Sequence, residues 1–224
     1  MILFEGEGFI AVDKPAGMLV IPGRGEHAAP PLKEQLEAEL KKKLWVVHRL
    51  DRDTSGVLLF ALNDRAHRTL SMAFEAGRIE KKYVALVQGA MAEPVDIDAA
   101  LAPARRGRMR IARKGEDSKN ARTLVRPLES FAKASLVEAT PLTGRTHQIR
   151  VHLASVGHPL LVDHQYGSEE PVRNADGAPV LQRTPLHAET LVMPVLEGIS
   201  ARTIQAPLPK DIAEAITVLR AAPH

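Results

Sequence analysis

The 224-residue chain contains no cysteine. This excludes a disulfide framework, a Cys-ligated zinc or iron–sulfur centre and a thiolate nucleophile, and nothing in it requires an oxidising compartment. Aromatic residues are scarce at 4%, with two tyrosines (Tyr83 and Tyr166) and one tryptophan, Trp45. So few rings cannot form an extended stacking platform for single-stranded nucleic acid, so any base recognition rests on one or two of them. No apolar run approaches the roughly 18 residues that span a bilayer. The opening, MILFEGEGFIAVDK, sets acids among short apolar runs and does not read as a signal peptide. A soluble, cytoplasmic protein without a membrane partner is expected, a monomer by default. Motifs of the forms GxxxxGK(S/T), GxSxG, HExxH and GxGxxG are also absent. His147, His152, His158 and His164 lie five, six and six residues apart, not the four that aligns two ligands on one helix face. No metal and no cofactor is expected.

What is present is an ordinary globular balance, 45% apolar and 25% charged, in a chain long enough for one sizeable core. A single domain over 1–224 is expected. The charge is uneven. Arg105, Arg106, Arg108, Arg110, Arg113, Lys114, Lys119, Arg122 and Arg126 face only Glu116 and Asp117 within their segment, which therefore carries +7 and leaves −4 for the rest. A basic stripe on a neutral body is the footprint of a phosphate-backbone binder, although a solvated hairpin with scattered arginines has the same composition.

Local patterns suggest strands at 9–12 and 18–21 around the turn Lys14-Pro15-Ala16-Gly17, and a helix opened by Pro30-Pro31 over LKEQLEAELKKK. Further strands are expected at 45–47, 56–62 and 83–87, near 95–101, 109–112, 122–128 and 135–140, and at 186–192. Helices are expected from an Asn63 or Asp64 cap to Ala76, from Thr146 to Val156, and over 210–221. Strands cluster between hairpin-like turns, which favours an α+β fold with a mainly antiparallel sheet.

Two segments carry candidate chemistry. In WVVHRLDRDTSGVLLFAL, 45–62, Asp51 and Asp53 flank Arg52 on a polar connection between apolar strands, where side chains project from a rigid scaffold. A plain structural turn fits the same residues. In TPLTGRTHQIRVHLASVGHPL, 140–160, a helix starting near Thr146 carries Arg145, His147, Gln148 and Arg150. Its buried stripe would be Ile149, Leu153 and Val156, which leaves His147 and Arg150 facing away. Such a helix start suits a phosphate or a base edge, and a basic surface helix fits equally.

Taken in order, HRLDRDTSG (48–56), KKYVALVQG (81–89) and GRTHQIRVHL (144–153) resemble the RluA family of pseudouridine synthases. DKPAGMLVIPG (13–23), SKNARTLV (118–125), PLHAETLVMP (185–194) and APLPKDI (206–212) are similar to further family segments, so the resemblance covers nearly the whole chain. VDHQYG (162–167) departs from it, with Val162 where the family usually has glycine. The catalytic-domain opening falls within the first fifteen residues, so no S4 RNA-binding domain is expected ahead of it. The resemblance implies an α+β catalytic domain with a long mixed, mostly antiparallel sheet, flanking helices and a central cleft. It also implies isomerisation of uridine to pseudouridine in structured RNA, either large-subunit ribosomal RNA or a transfer RNA stem-loop. In that reading Asp51 is the catalytic carboxylate, attacking a carbon, stabilising the anomeric centre or removing a ribose proton. Arg150 pairs with Asp51, Tyr83 stacks on the target base, and Arg49 occupies the space left by the flipped nucleotide. His48, Arg145, Thr146, His147, Gln148, Arg105, Arg106, Arg108, Arg110, Arg113 and Lys119 would contact RNA. Two rivals remain: a magnesium-dependent phosphatase of the haloacid-dehalogenase type, because residues 51–54 fit DxDxT, and a non-catalytic RNA-binding module.

Overall fold

In the segment Ser55–Ala61 every residue is buried, as a continuous apolar run demands when both faces are covered. This strand anchors the architecture in a computed structural model that describes residues 2–23 and 29–222. In chain order the first half comprises β1 (Ile2–Gly6), β2 (Phe9–Lys14), α1 (Leu32–Leu40), β3 (Trp45–Val46), β4 (Ser55–Ala61), α2 (Asp64–Glu75), β5 (Glu80–Gln88), β6 (Val95–Asp98), β7 (Leu101–Pro103) and β8 (Met109–Ile111). There follow β9 (Arg122–Ser130), β10 (Ala134–Pro141), α3 (Gln148–Ser155), β11 (Val172–Arg173), β12 (Pro179–Leu181), β13 (Leu186–Met193), β14 (Arg202–Gln205) and α4 (Lys210–Ala221). The fold is the expected α+β with mainly antiparallel strands. No helix among the described residues is long and apolar enough to cross a membrane. The residues fall into two compact units, Met1–Lys81 with Ala188–Pro207, and Lys82–His187 with Leu208–His224.

In the first unit β2 pairs antiparallel with β1 and with β4, running from Phe9 opposite Ala61 to Lys14 opposite Gly56. β3 pairs with β4, and β14 with β13. One face of α2 contributes Ala66, Leu70 and Ala73 to a core with Phe9, Leu59, Leu191 and Ile204. Asn63 caps α2, its Oδ1 accepting from Ala66 N–H at 2.9 Å. Asn63→Ala should cost about 1 kcal/mol, as cap losses do, and lower the melting temperature by roughly 2–4 °C in calorimetry.

The segment 18–21 is not a strand. Pro31 gives α1 no side-chain cap, and the carbonyls of Leu19 and Val20 instead accept from Leu32 and Lys33 N–H at 2.8 and 3.2 Å. Backbone that satisfies a helix start cannot also serve a sheet ladder. α1 ends at Leu40, with Lys41 in the left-handed region, so it is shorter than its lysine-rich tail suggests.

In the second unit β10 is paired with β5 on one side and β9 on the other, and β6 pairs with β9, all antiparallel. β7 and β8 form a separate hairpin, as do β11 and β12. α4 buries Ile212, Ala215 and Ile216 against Leu86, Phe131 and Ala134. α3 starts at Gln148, two residues later than expected, because His147 takes a left-handed conformation (φ 54°) that a helix cannot include.

Candidate active site

In the first unit the site begins with a buried lysine. Lys14, at the end of β2, is fully buried. Its ammonium donates to the carbonyls of Pro15 (2.9 Å), Arg52 (2.9 Å) and Thr54 (2.8 Å). An ammonium taken out of water is tolerated when all three donors are satisfied. Here two of the acceptors belong to the connection that carries Asp51. That connection is closed by Thr54 N–H donating to the Asp51 carbonyl at 3.2 Å, and Arg52 Nε donates to the Gly17 carbonyl at 3.1 Å. Gly56 follows with φ +113°, and a Cβ there would lie 2.2 Å from the Ala188 carbonyl oxygen, so only glycine fits. The Asp51 loop is therefore held by side-chain bonds at one end and by a close backbone contact at the other. Asp51, between the exposed Arg49 and Arg52, and Asp53, which follows Arg52, are both half-buried on it.

His48, expected at RNA, has a structural task. Its Nε2 accepts from Leu59 N–H at 2.9 Å, and its ring stacks on Phe74 with centroids 4.2 Å apart. Burial, reinforced by the charge of Lys81, pushes its pKa down to about 3. Burial also lowers the pKa of Lys81. Since His48 titrates below its ordinary 6.5 in the folded protein, the unfolded chain binds its proton first as the pH falls. Stability should therefore decline from pH 6.5 towards 3, and His48→Gln, which can still accept from Leu59 N–H, should flatten that part of a urea-unfolding pH profile.

In the second unit α3 is buried nearly all round, from Gln148 to Leu153. The expectation of a surface helix with Arg150 facing outward is corrected here. Arg150 is 6% exposed. Its guanidinium forms a fork with Asp163 (Nε to Oδ2 2.7 Å, Nη2 to Oδ1 2.8 Å), reaches Gln165 Oε1 at 3.1 Å, and lies 5.0 Å above the Tyr166 ring. Burial by itself would raise the Asp163 carboxyl. The Arg150 fork and charge, with Gln165 and Tyr166 N–H, outweigh it and hold the pKa below its ordinary value.

Gln148, also expected at RNA, is 4% exposed. Its oxygen accepts from Thr143 Oγ1 (2.7 Å) and Arg145 N–H (3.0 Å), and its amide donates to the Arg122 carbonyl and Thr123 Oγ1, both 3.0 Å. With all four of its bonds used inside the protein, it has none left for a ligand. Fully buried His152 continues this network, joining Thr123 Oγ1 at 2.8 Å to the Ala99 carbonyl at 2.9 Å. Thr146 and Arg145 are exposed, and Arg145 Nε is tethered to the Asn120 carbonyl at 3.0 Å. Tyr83 is 9% exposed on β5, opposite Ala139 of β10.

The basic stripe follows the β7–β8 hairpin and the strand after it. Arg105, Arg106 and Arg108 are exposed around its tip, with Arg106 left-handed at φ 56°. Arg110 pairs with Glu116, Arg122 with Asp96, and Arg126 with Glu138. Arg113, Lys114 and Lys119 are exposed. Three of the nine cations thus form ion pairs with carboxylates, and the other six are exposed.

Sequence reasoning missed Lys14, Asp163 and Tyr166 as contributors. Val162, where the resemblance leads one to expect glycine, has no positive φ and is buried beside Leu86 and Ile212, so valine suits this position.

A model of the RNA pseudouridylate synthase family matches residues 8–155, which enclose Asp51, Tyr83 and Arg150. The chain is 37% identical to the ribosomal large subunit pseudouridine synthase D of Nitrosomonas europaea, over 100% of this chain and 66% of that protein. It is 36% identical to the tRNA pseudouridine synthase C of Haemophilus ducreyi, over 85% of this chain and 83% of that one. The solved structure of human RNA pseudouridylate synthase domain containing 4 superposes with a TM-score of 0.76 at 25% identity, covering 98% of this chain and 92% of that chain. The chain belongs to the RNA pseudouridylate synthase family. It spans about two thirds of the length of the Nitrosomonas relative. The DxDxT match at 51–54 lies inside the matched segment, so the phosphatase alternative is set aside.

Proposed function

We propose that this chain isomerises uridine to pseudouridine in structured RNA of the ribosomal large subunit or of transfer RNA, in the cytoplasm. The bond from N1 to ribose C1′ breaks, the base turns, C1′ joins C5, and the C5 proton is released while N1 gains one. The reaction is redox-neutral and consumes no water, so a carboxylate can catalyse it without a cofactor. The reading is carried by the Asp51 loop: a half-buried carboxylate between two exposed arginines, on a connection fixed by Lys14, inside the family-matched segment. Asp51 is the catalytic carboxylate, Arg150 its partner and Tyr83 the ring that stacks on the target base. Arg49, exposed two residues before Asp51, fills the space of the extruded nucleotide. The exposed cations of the β7–β8 hairpin grip the flanking phosphates, so RNA affinity falls steeply with added salt.

The test is tritium release from RNA labelled at uridine C5, offered as large-subunit ribosomal RNA and as transfer RNA, with chelator present. Release by the wild type and none by Asp51→Ala supports the reading. Equal release by both, or none by the wild type on either RNA, overturns it.

A further inference from the structure

Tyr166 joins three elements of the second unit through one side chain. Its hydroxyl accepts from Met109 N–H, the first residue of β8, at 2.8 Å. The same hydroxyl lies 2.8 Å from His147 Nδ1, at the start of α3, and the two rings meet edge-on. Its ring carries the Arg150 guanidinium on one face, and it packs into the small core of Leu101, Ala121, Val151, Met109 and Ile111 that backs the hairpin. Its own backbone N–H donates to Asp163 Oδ1 at 3.3 Å, so the loop that presents it is the one that forks onto Arg150.

The hairpin needs such an anchor. Among the described residues β7 and β8 pair as a two-stranded ribbon, over Leu101–Ile111 to Pro103–Met109, and its end away from the turn is tied by Leu101 exchanging backbone bonds with Lys119 at 2.9 Å each way. A two-stranded ribbon is marginal alone in water. Met109 stands where the ribbon leaves the turn bearing Arg105, Arg106 and Arg108. The Tyr166 hydroxyl therefore holds the cationic tip at its base, and it does so from the residue on which Arg150 rests.

We propose that Tyr166 is a positioning residue that fixes the basic β7–β8 hairpin in register with Arg150, so that RNA phosphates held by Arg106 and Arg108 are placed relative to the reacting uridine. This rests on the reading of the chain as an RNA-modifying enzyme. Tyr166→Phe is the discriminating variant, because it keeps the ring beneath Arg150 and removes only the hydroxyl. A merely structural tyrosine would lower stability and weaken binding by a factor independent of the hairpin's charge. A positioning tyrosine makes the arginines' contribution depend on it.

The experiment is a double-mutant cycle on RNA affinity, with unmodified large-subunit ribosomal RNA and unmodified transfer RNA as probes. It compares the wild type, Tyr166→Phe, the pair Arg106→Ala with Arg108→Ala, and the combination. Two lost phosphate contacts should raise Kd about 10-fold in the wild type and reduce the salt slope by about 2. In the Tyr166→Phe background the same pair should raise Kd no more than about 3-fold. Tyr166→Phe itself should raise KM several-fold and leave single-turnover kcat within about 2-fold. An additive cycle overturns the proposal even if the wild type makes pseudouridine. A non-additive cycle in a protein that binds RNA but yields no pseudouridine sustains it while defeating the isomerase reading. Absence of RNA binding by the wild type overturns both.

Discussion

Asp51→Ala is expected to abolish pseudouridine formation, lowering the single-turnover rate by about 10^4-fold or more, the scale seen when a reacting side chain is removed. RNA affinity should be unchanged or somewhat tighter. The carboxylate stands on a loop whose neighbours Arg49 and Arg52 are exposed, and removing a negative charge from an RNA-facing surface reduces repulsion of phosphate. The fold should survive, because the loop is held by Lys14 on the Arg52 and Thr54 carbonyls and by the Thr54 N–H bond to the Asp51 carbonyl. All of these use backbone oxygens that the substitution leaves in place. Asp51→Glu sharpens the test. It keeps the charge and moves it by about one methylene, and a misplacement near 1 Å costs about 10^2-fold. An active Asp51→Ala, measured by tritium release and by direct mapping of the product, would transfer the catalytic role to another group. A rate loss matched by loss of RNA binding would instead make Asp51 part of the binding surface.

The backbone was more legible in the sequence than the site. β4 was visible because a short apolar run that follows turn residues favours a buried strand over a helix, and α2 because Asn63 and Gly77 bracket an amphipathic stretch. β10 showed the alternation of a strand with one buried face. Segments whose state is set by distant partners were not legible. Residues 18–21 have strand composition, but their carbonyls go to the start of α1. α3 has the spacing of a surface helix, yet Asp163 neutralises Arg150, and Gln148 and His152 are consumed by a network through Thr123, so polar residues sit inside. A helical wheel assumes that polar positions face water. It fails where each polar group has found a protein partner. The same blindness hid Lys14 and Tyr166. A lysine ending an apolar strand and a tyrosine in a loop look unremarkable until the three carbonyls, or the Met109 N–H, are seen converging on them. The resemblance to the family was legible in the order of its motifs along the chain, and the family model matches residues 8–155. Which of the site residues have a hydrogen bond to spare depends on partners within the protein, and those partners give His48 and Gln148 structural tasks.

The second large effect concerns Asp163, 1% exposed, the fork partner of Arg150. Asp163→Ala leaves a guanidinium buried without that carboxylate and is expected to cost about 3–5 kcal/mol, the range for breaking a buried pair from one side. For a chain of this size that lowers the melting temperature by roughly 10 °C. The pH dependence follows from the direction of the shift. In the folded protein Asp163 titrates below its ordinary 3.8, so on acidification the unfolded state takes up the proton first. The stability contributed by the fork is thus fully present above about pH 4 and lost as the pH falls through the folded-state pKa. Asp163→Asn, which keeps an acceptor oxygen for Arg150 but no charge, should be destabilised at neutral pH and should lack that share of the acid dependence. A buried pair can be replaced by apolar residues of similar volume at little cost, so Arg150→Met with Asp163→Leu should recover most of the melting temperature lost by Asp163→Ala. If Arg150 serves only the fold, this double variant recovers turnover as well. If Arg150 partners Asp51 in the reaction, stability returns while pseudouridine formation stays at least about 10^2-fold down, and RNA binding is retained.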